Sequence, residues 1–431
     1  MVEVIHVITP QTTPALILGL IGYLLGNSTE SDGTYLVSKA NGSVIYVQIQ
    51  YRLGALGFLA SSEIMSNGTA NAGFLDQRSA LQWVQRNIAA FGGDPTKVTI
   101  IGGSAGGGSV TAQLMLNGGT SDPPFRAAIA NFPWWQTFHN QTLYDLQYRN
   151  VLRTTGCGDL SCLRALPLQS LATALNQTFF SDYQKGYFGY GDFYYGPAVD
   201  GNIIRGLPSV EFGAGKFSKV PIMVDHDALE GLAFTNFSVS TFPELVSDVK
   251  TLWPAWTPSF LSQLDSLYDS NTLLSWLSKF LSGTPLTTNL LADLISTYVS
   301  GVISSYNLIE QNLSGNGPFA QLSSIFGDAF VNCGTWTLAN SFVKQRVPVW
   351  KAIYNSGILV HTAWDVTLLE SVNGLTNYTQ QAIVQDYVLS FVRDLDPNTV
   401  NTVSTSVQKP QWMQYGSTKN ILQFNYTTTN N

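Results

Sequence analysis

Residues Ile100–Val110 read IIGGSAGGGSV, and the reading of the chain turns on whether Ser104 in that stretch is a nucleophile or one more small residue in a glycine-rich turn. A G-x-S-x-G pattern alone is weak in a chain with 38 Gly. Its surroundings sharpen it. KVTIIGG, ending at Gly103, is a β-branched run suited to a strand that enters Ser104, and GSVTAQLML, from Gly108, has the spacing of a helix that leaves it. A serine hydroxyl is a weak nucleophile until a base takes its proton. Gly102 and Gly106 flank Ser104 where a tight turn has no room for side chains, and the helix that follows aims its N-terminal amides at the site. A phosphate-binding loop would end in G-K-[ST], and no Lys follows here.

Outward from this turn, PALILGLI and SVIYVQIQY are apolar runs suited to buried parallel strands, RSALQWVQRNIAAFGG has helical spacing and ends at a glycine pair, and FRAAIANF reads as another strand. This alternation predicts an α/β class with a doubly wound, mostly parallel sheet. From about Phe242 to Asn312 the pattern turns helical (ELVSDVKTLW, PSFLSQLDSLY, LLADLISTYVSGVISSY), which predicts a cap-like insertion over the sheet. Strand patterns resume at VPVWKAIYN and ILQFNY, with the helix QAIVQDYVLSFVRDL between them. No repeat or low-complexity linker interrupts the chain, so residues 1–431 read as one domain.

The 431 residues are 45% hydrophobic and 11% charged, with a net charge of -7. Globular chains are usually about one quarter charged; with no basic cluster, nucleic acid is excluded as an expected partner. Asn-x-Ser/Thr sequons at Asn27, Asn41, Asn67, Asn140, Asn176, Asn236, Asn312, Asn377 and Asn425 point to a glycosylated, secreted chain. Cys157 and Cys162 flank a short GDLS loop that could close as a small disulfide, leaving Cys333 without a partner; three buried thiols are the alternative. ALILGLIGYLL (15–25) is preceded by Glu3 and His6 instead of basic residues and lacks a convincing cleavage site, so it reads as a buried strand and turn, and the chain as given carries no signal peptide. No later stretch is long and apolar enough to span a membrane.

A serine nucleophile needs a base, and the chain has only His6, His139, His226 and His361. Such a turn is that of the α/β-hydrolases, in which the chain order is serine, acid, histidine; by that order the base is His361, the late one. The strand KVPIMV leads into Asp225, Asp227 and Glu230, any of which could fix the imidazole tautomer and stabilise the imidazolium. Spacing alone does not choose among the three.

In order along the chain, YRLGALGFL, NAGFLDQRSALQWVQRNIAAFGGDPTKVTIIGGSAGGGSV, YGPAVDG, VPIMV with the later LEG, and DPN resemble the type-B carboxylesterase family, which includes cholinesterases and secreted fungal lipases. The resemblance runs from about Thr9 to the C-terminus and is densest between Tyr46 and Gln113. It implies an α/β-hydrolase fold with Ser104 as nucleophile, Glu230 as acid and His361 as base, no metal or organic cofactor, and a disulfide between Cys157 and Cys162. Cys333 falls where some members pair it with a later cysteine, which this chain lacks.

Several departures stand out. Gly103 precedes the nucleophile where many members carry Glu, although fungal relatives often have Gly. The histidine motif, usually H-G and then an acid, reads HTAWD, with Asp365 one position late. At the oxyanion hole the family has H-G-G-G and an aromatic, where this chain has ILGLIGYLLGN; Gly22 and Tyr23 align with the end of that motif, and Leu20 and Ile21 take the place of histidine and glycines. The expected oxyanion donors are the amides of Ala105 and Gly22, and loss of one such donor lowers the rate about 10²- to 10³-fold. The family's N-terminal segment with its first disulfide loop has no counterpart, which implies a truncated or mis-spliced gene model as much as a natural variant.

An ester pocket needs an apolar wall. NFPWWQTF offers Trp134 and Trp135, and YFGYGDFYYGP offers Tyr187, Phe188, Tyr190, Phe193, Tyr194 and Tyr195. Two functions follow from these residues. One is a secreted serine hydrolase acting on a small-molecule or lipid ester. The other is a catalytically impaired or non-catalytic binding or adhesion member of the same fold, which the altered GLIGY loop favours.

Overall fold

In the computed structural model, the described residues are 3–4, 13–17, 23–24, 26, 33–268, 317–355, 361, 363–369, 378–402 and 409–425. Among them a sheet of eight strands runs β1 (Glu3–Val4), β3 (Val44–Gln48), β2 (Thr13–Ile17), β4 (Thr99–Gly103), β5 (Ala127–Asn131), β6 (Ile222–Val224), β7 (Val349–Asn355) and β8 (Leu422–Asn425) in spatial order. The pairing from β3 through β8 is parallel, and only β1 against β3 is antiparallel. Every residue of β3, β4, β5 and β6 is buried. Successive side chains of a strand point to opposite faces, so both faces of the sheet centre are covered, and the continuous apolar runs of the sequence follow from that.

The helices that frame the site are α1 (Ala72–Asn87), α2 (Ala105–Met115), α3 (Phe242–Leu252), α4 (Pro258–Leu267), α5 (Cys333–Lys344), α6 (Ala363–Leu369) and α7 (Tyr378–Asp394). α1 buries Gln77, Leu81 and Val84, a three- and four-residue spacing that lays one stripe on the core. Truncating a fully buried leucine such as Leu81 to alanine costs about 2–5 kcal/mol. α2 is buried on every side, which its run of Gly106, Gly107 and Gly108 allows. A Cβ on Gly107 would overlap the Asn131 carbonyl and the Pro133 backbone, so the close approach of α2 to the end of β5 depends on its absence.

The start of the expected cap is helical. The Glu244 carboxylate accepts from the Thr241 amide at 2.9 Å, completing a capping box at the head of α3, and the Thr257 hydroxyl accepts from the Phe260 amide at 3.2 Å at the head of α4. The rest of the expected insertion, 269–312, lies outside the described residues.

Cys157 and Cys162 are disulfide-bonded, and Cys333 is an exposed free thiol. Asn41, Asn67, Asn140 and Asn176 are exposed. Asn236 is half-buried, and its side-chain oxygen accepts from Ser238. Asn425 lies in β8; Asn27, Asn312 and Asn377 lie outside the described residues. No described helix is long and apolar enough to cross a membrane, and no group of His, Cys, Asp or Glu suited to a metal occurs among the described residues.

Candidate active site

The carboxyl ends of four neighbouring strands deliver the site, the usual location in an open parallel sheet. β4 delivers Ser104, which adopts φ 55° and ψ -122°, a conformation that costs a non-glycine residue about 1–3 kcal/mol. The turn is pinned on both sides. The Ser104 amide donates to the Asn131 carbonyl at 3.2 Å, and the Ser104 carbonyl accepts from the amides of Gly108 and Trp134, each at 2.9 Å. Ala105 then heads α2, and its amide is among the first N–H groups of that helix, which lack intrahelical partners.

His361 follows β7 with φ 69° and is buried. Its Nε2 lies 2.7 Å from Ser104 Oγ, and its Nδ1 lies 2.5 Å from Glu230 Oε2. The other Glu230 oxygen accepts from the Asp227 amide at 2.6 Å. Of the three acids that the sequence left open, Glu230 is therefore the one bonded to His361. Asp225 instead accepts from the Phe132 amide at 3.2 Å, and Asp227 bridges to Tyr354 through its backbone. Ser104 alone of the three is partly exposed, so the hydroxyl forms the open end of a buried relay.

Burial disfavours charge on both partners of the dyad. It pushes the Glu230 carboxyl up, against the Asp227 amide and the positive charge of Lys351, and it pulls the His361 imidazole down to about 3, against Asp365. The resting base is thus a neutral imidazole, the form able to accept the Ser104 proton, with a carboxylate in contact to stabilise the imidazolium as it forms.

Asp365, the acid that falls one position late in the histidine motif, sits in the first turn of α6 and accepts from Asn131 Nδ2 at 2.7 Å. Its carboxylate stands where a Cβ on Gly103 would be built. Glycine before the nucleophile and the displaced acid are therefore one arrangement, with the Asp365 carboxylate filling the space beside the turn.

The rings around His361 are Phe132 and Phe234, each at 4.8 Å between centroids, and Trp134 at 6.0 Å. Trp134 stacks on Phe330 at 4.5 Å and meets Phe193 at 5.5 Å. Trp135 does not share this wall: its ring stacks on Phe212 and its indole N–H donates to Thr111 at 3.1 Å. Trp134 is thus a buried ring packed near His361, while Trp135 is half-buried and packs elsewhere. Of the aromatic run, Phe193 reaches the wall, Phe188 and Tyr194 stack on each other in a separate cluster, and Tyr187 and Tyr190 are exposed. Phe132 follows the strand beside β4, a position that topology marks; Phe234 and Phe330 carry no local signal.

Gly22, Leu20 and Ile21 lie outside the described residues. Tyr23 is buried against Phe58 and Phe74, and its carbonyl accepts from the Gly54 amide at 2.7 Å.

The model of the carboxylesterase family matches residues 17–431. This chain belongs to the carboxylesterase family. Its relatives include "Secreted lipase 1" of Botryotinia fuckeliana, 32% identical over 93% of this chain and 67% of that protein. Another is "Secreted triacylglycerol lipase LIP1" of Gibberella zeae, 31% identical over 91% of this chain and 64% of that one. The chain thus spans about two thirds of the length of these relatives. Among solved structures, Aspergillus niger EstA superposes with a TM-score of 0.75 at 26% identity, covering 97% of this chain and 77% of EstA. A PNB esterase superposes with a TM-score of 0.70 at 20% identity, a likeness of fold. The carboxylesterase fold is the α/β-hydrolase fold that the sequence resemblance implies.

Proposed function

We propose that this carboxylesterase-family chain is a secreted serine hydrolase of apolar carboxylic esters, working through an acyl-enzyme. Ser104 Oγ attacks the ester carbonyl as His361 Nε2 takes its proton. Glu230 holds the imidazole by Nδ1 and offsets the positive charge on it. The Ala105 amide at the head of α2 meets the oxyanion. His361 then returns the proton to the leaving alcohol, activates water, and the acid departs.

The observation that carries this reading is the continuous relay from Ser104 through His361 to Glu230, with contacts of 2.7 and 2.5 Å. The wall of Phe132, Trp134, Phe193, Phe234 and Phe330 supports an apolar acyl group as the substrate part bound beside Ser104. The names of the secreted relatives and the exposed sequons at Asn41, Asn67, Asn140 and Asn176 support export and glycosylation. The near full-length family match supports a single catalytic domain.

The test is labelling of the folded protein with a fluorophosphonate, read by intact mass and peptide mapping beside a Ser104→Ala control. One adduct on Ser104 is expected. No adduct on folded protein removes the active-enzyme reading and leaves the binding or adhesion scaffold.

A further inference from the structure

Near the acid lies a buried lysine. Lys351 is the third residue of β7, pairs in register with Val224 at the end of β6, and is fully buried. Its Nζ donates to Thr335 Oγ1 at 2.6 Å and to His226 Nδ1 at 3.0 Å, and it lies 4.4 Å from the centre of the Trp336 ring. Those partners are neutral: a hydroxyl and an indole on α5, and an imidazole that burial and the lysine hold well below the usual histidine range. Burying an amine that water would keep charged is unfavourable, so a lysine at this place calls for a return elsewhere.

The return is legible in the loop between β6 and Glu230. His226, which accepts from Lys351, also accepts through its carbonyl from the Tyr354 amide at 2.9 Å, while Ala228 donates its amide to the Tyr354 carbonyl at 3.0 Å. The intervening Asp227 donates its amide to Glu230 Oε1 at 2.6 Å, and Glu230 Oε2 meets His361. An unbroken series of contacts therefore runs from the Lys351 ammonium through His226 and Asp227 to the carboxylate that orients the base. We propose that Lys351 is the positioning residue of this acid: by clamping His226 to Thr335 it fixes the 225–230 loop and aims Glu230 at His361.

The charges around it agree. The loop brings Asp225 and Glu230 near Lys351, with Asp227 and Asp365 near Asp225, and α5 contributes the uncharged Thr335 and Trp336 to its contacts. Lys351 pulls the Glu230 carboxyl down against burial, and Asp225 and Glu230 in turn hold up the lysine. Where Lys351 is protonated, below its burial-lowered pKa of about 7, it thus favours a charged Glu230 as well as a fixed one.

This inference rests on the proposed roles of Ser104, His361 and Glu230, and one set of assays separates the two. Wild type, Ser104→Ala, Lys351→Met and Thr335→Val are compared for fluorophosphonate labelling rate, for kcat and KM on a p-nitrophenyl ester across pH, and for thermal unfolding. Lys351→Met is expected to lower kcat about 10- to 100-fold with KM within about twofold, the scale of a slightly misplaced catalytic group. It should also move the acid limb of the pH profile upward by about one unit. Thr335→Val keeps the lysine and is expected to lower kcat severalfold at unchanged KM. Wild-type kcat in folded Lys351→Met, or a lowered kcat with an unshifted acid limb, overturns the inference. If Lys351→Met does not fold, wild-type kcat in Thr335→Val overturns it. Absence of label on wild type overturns the proposed function instead.

Discussion

Gly103→Ala inserts a single methyl group beside the nucleophile, and the structure specifies what it strikes. The new Cβ would fall 2.8 Å from Asp365 Cγ and 2.5 Å from the tip of the Phe132 ring, with a carboxylate oxygen closer still. Phe132 is fully buried and packed against His361, so Asp365 must give way. Its displacement breaks the 2.7 Å bond from Asn131; a hydrogen bond to a charged group is worth about 1.5–3 kcal/mol, and overpacking a filled site costs about 1–3 kcal/mol. Asp365 is four residues from His361 in the chain, so the strain also moves the base relative to Ser104, and a shift of about 1 Å costs about 10²-fold in rate. The expected outcome is a melting point lower by several degrees and a kcat on p-nitrophenyl butyrate lower by about 10²-fold, with KM little changed. A Gly103→Ala protein with wild-type kcat and stability would refute the packing argument at this turn.

Three other outcomes are expected. Glu230→Gln keeps the shape of the acid and removes its charge, and should lower kcat about 10³- to 10⁴-fold with KM nearly constant; ester kinetics check it, and a loss under tenfold contradicts the assignment of the acid. Opening the Cys157–Cys162 disulfide, whose partners are 5 residues apart, with paired serine substitutions should cost about 2 kcal/mol in urea unfolding, because a short loop restrains the unfolded chain only modestly; ester turnover should stay at the wild-type level. Burial lowers the Lys351 pKa from 10.5 to about 7, so between those values the unfolded chain binds one more proton than the folded one and stability rises with pH, by about 1.4 kcal/mol per unit on this residue's account. From pH 7 to 9.5 the wild type should therefore gain about 3 kcal/mol relative to Lys351→Met in urea unfolding, and a pH-independent difference contradicts a lysine whose pKa burial has lowered.

The strand, turn and helix at Ser104 were legible because the turn is encoded locally: β-branched residues before it, glycines where the backbones touch, helical spacing after it. The late histidine was legible from chain order. Residues alone left the acid open among Asp225, Asp227 and Glu230, since only the direction each carboxylate takes in the loop separates them, and no pattern in six residues encodes direction. The rings packed around His361 were only partly legible. Trp134 lies against His361, while Trp135 stacks on Phe212; composition cannot tell which of two adjacent rings meets the histidine. Phe234 and Phe330 reach Trp134 from distant parts of the chain, and Asp365 fills the space beside Gly103 from α6. Those contacts exist only after folding.

The central claim is that Ser104 is an activated nucleophile, and fluorophosphonate labelling with peptide mapping tests it most directly. A single covalent adduct on Ser104, absent from Ser104→Ala and strongly slowed in Glu230→Gln, is the predicted result. Folded wild-type protein that takes up no label, or labels equally well without Ser104, would contradict it.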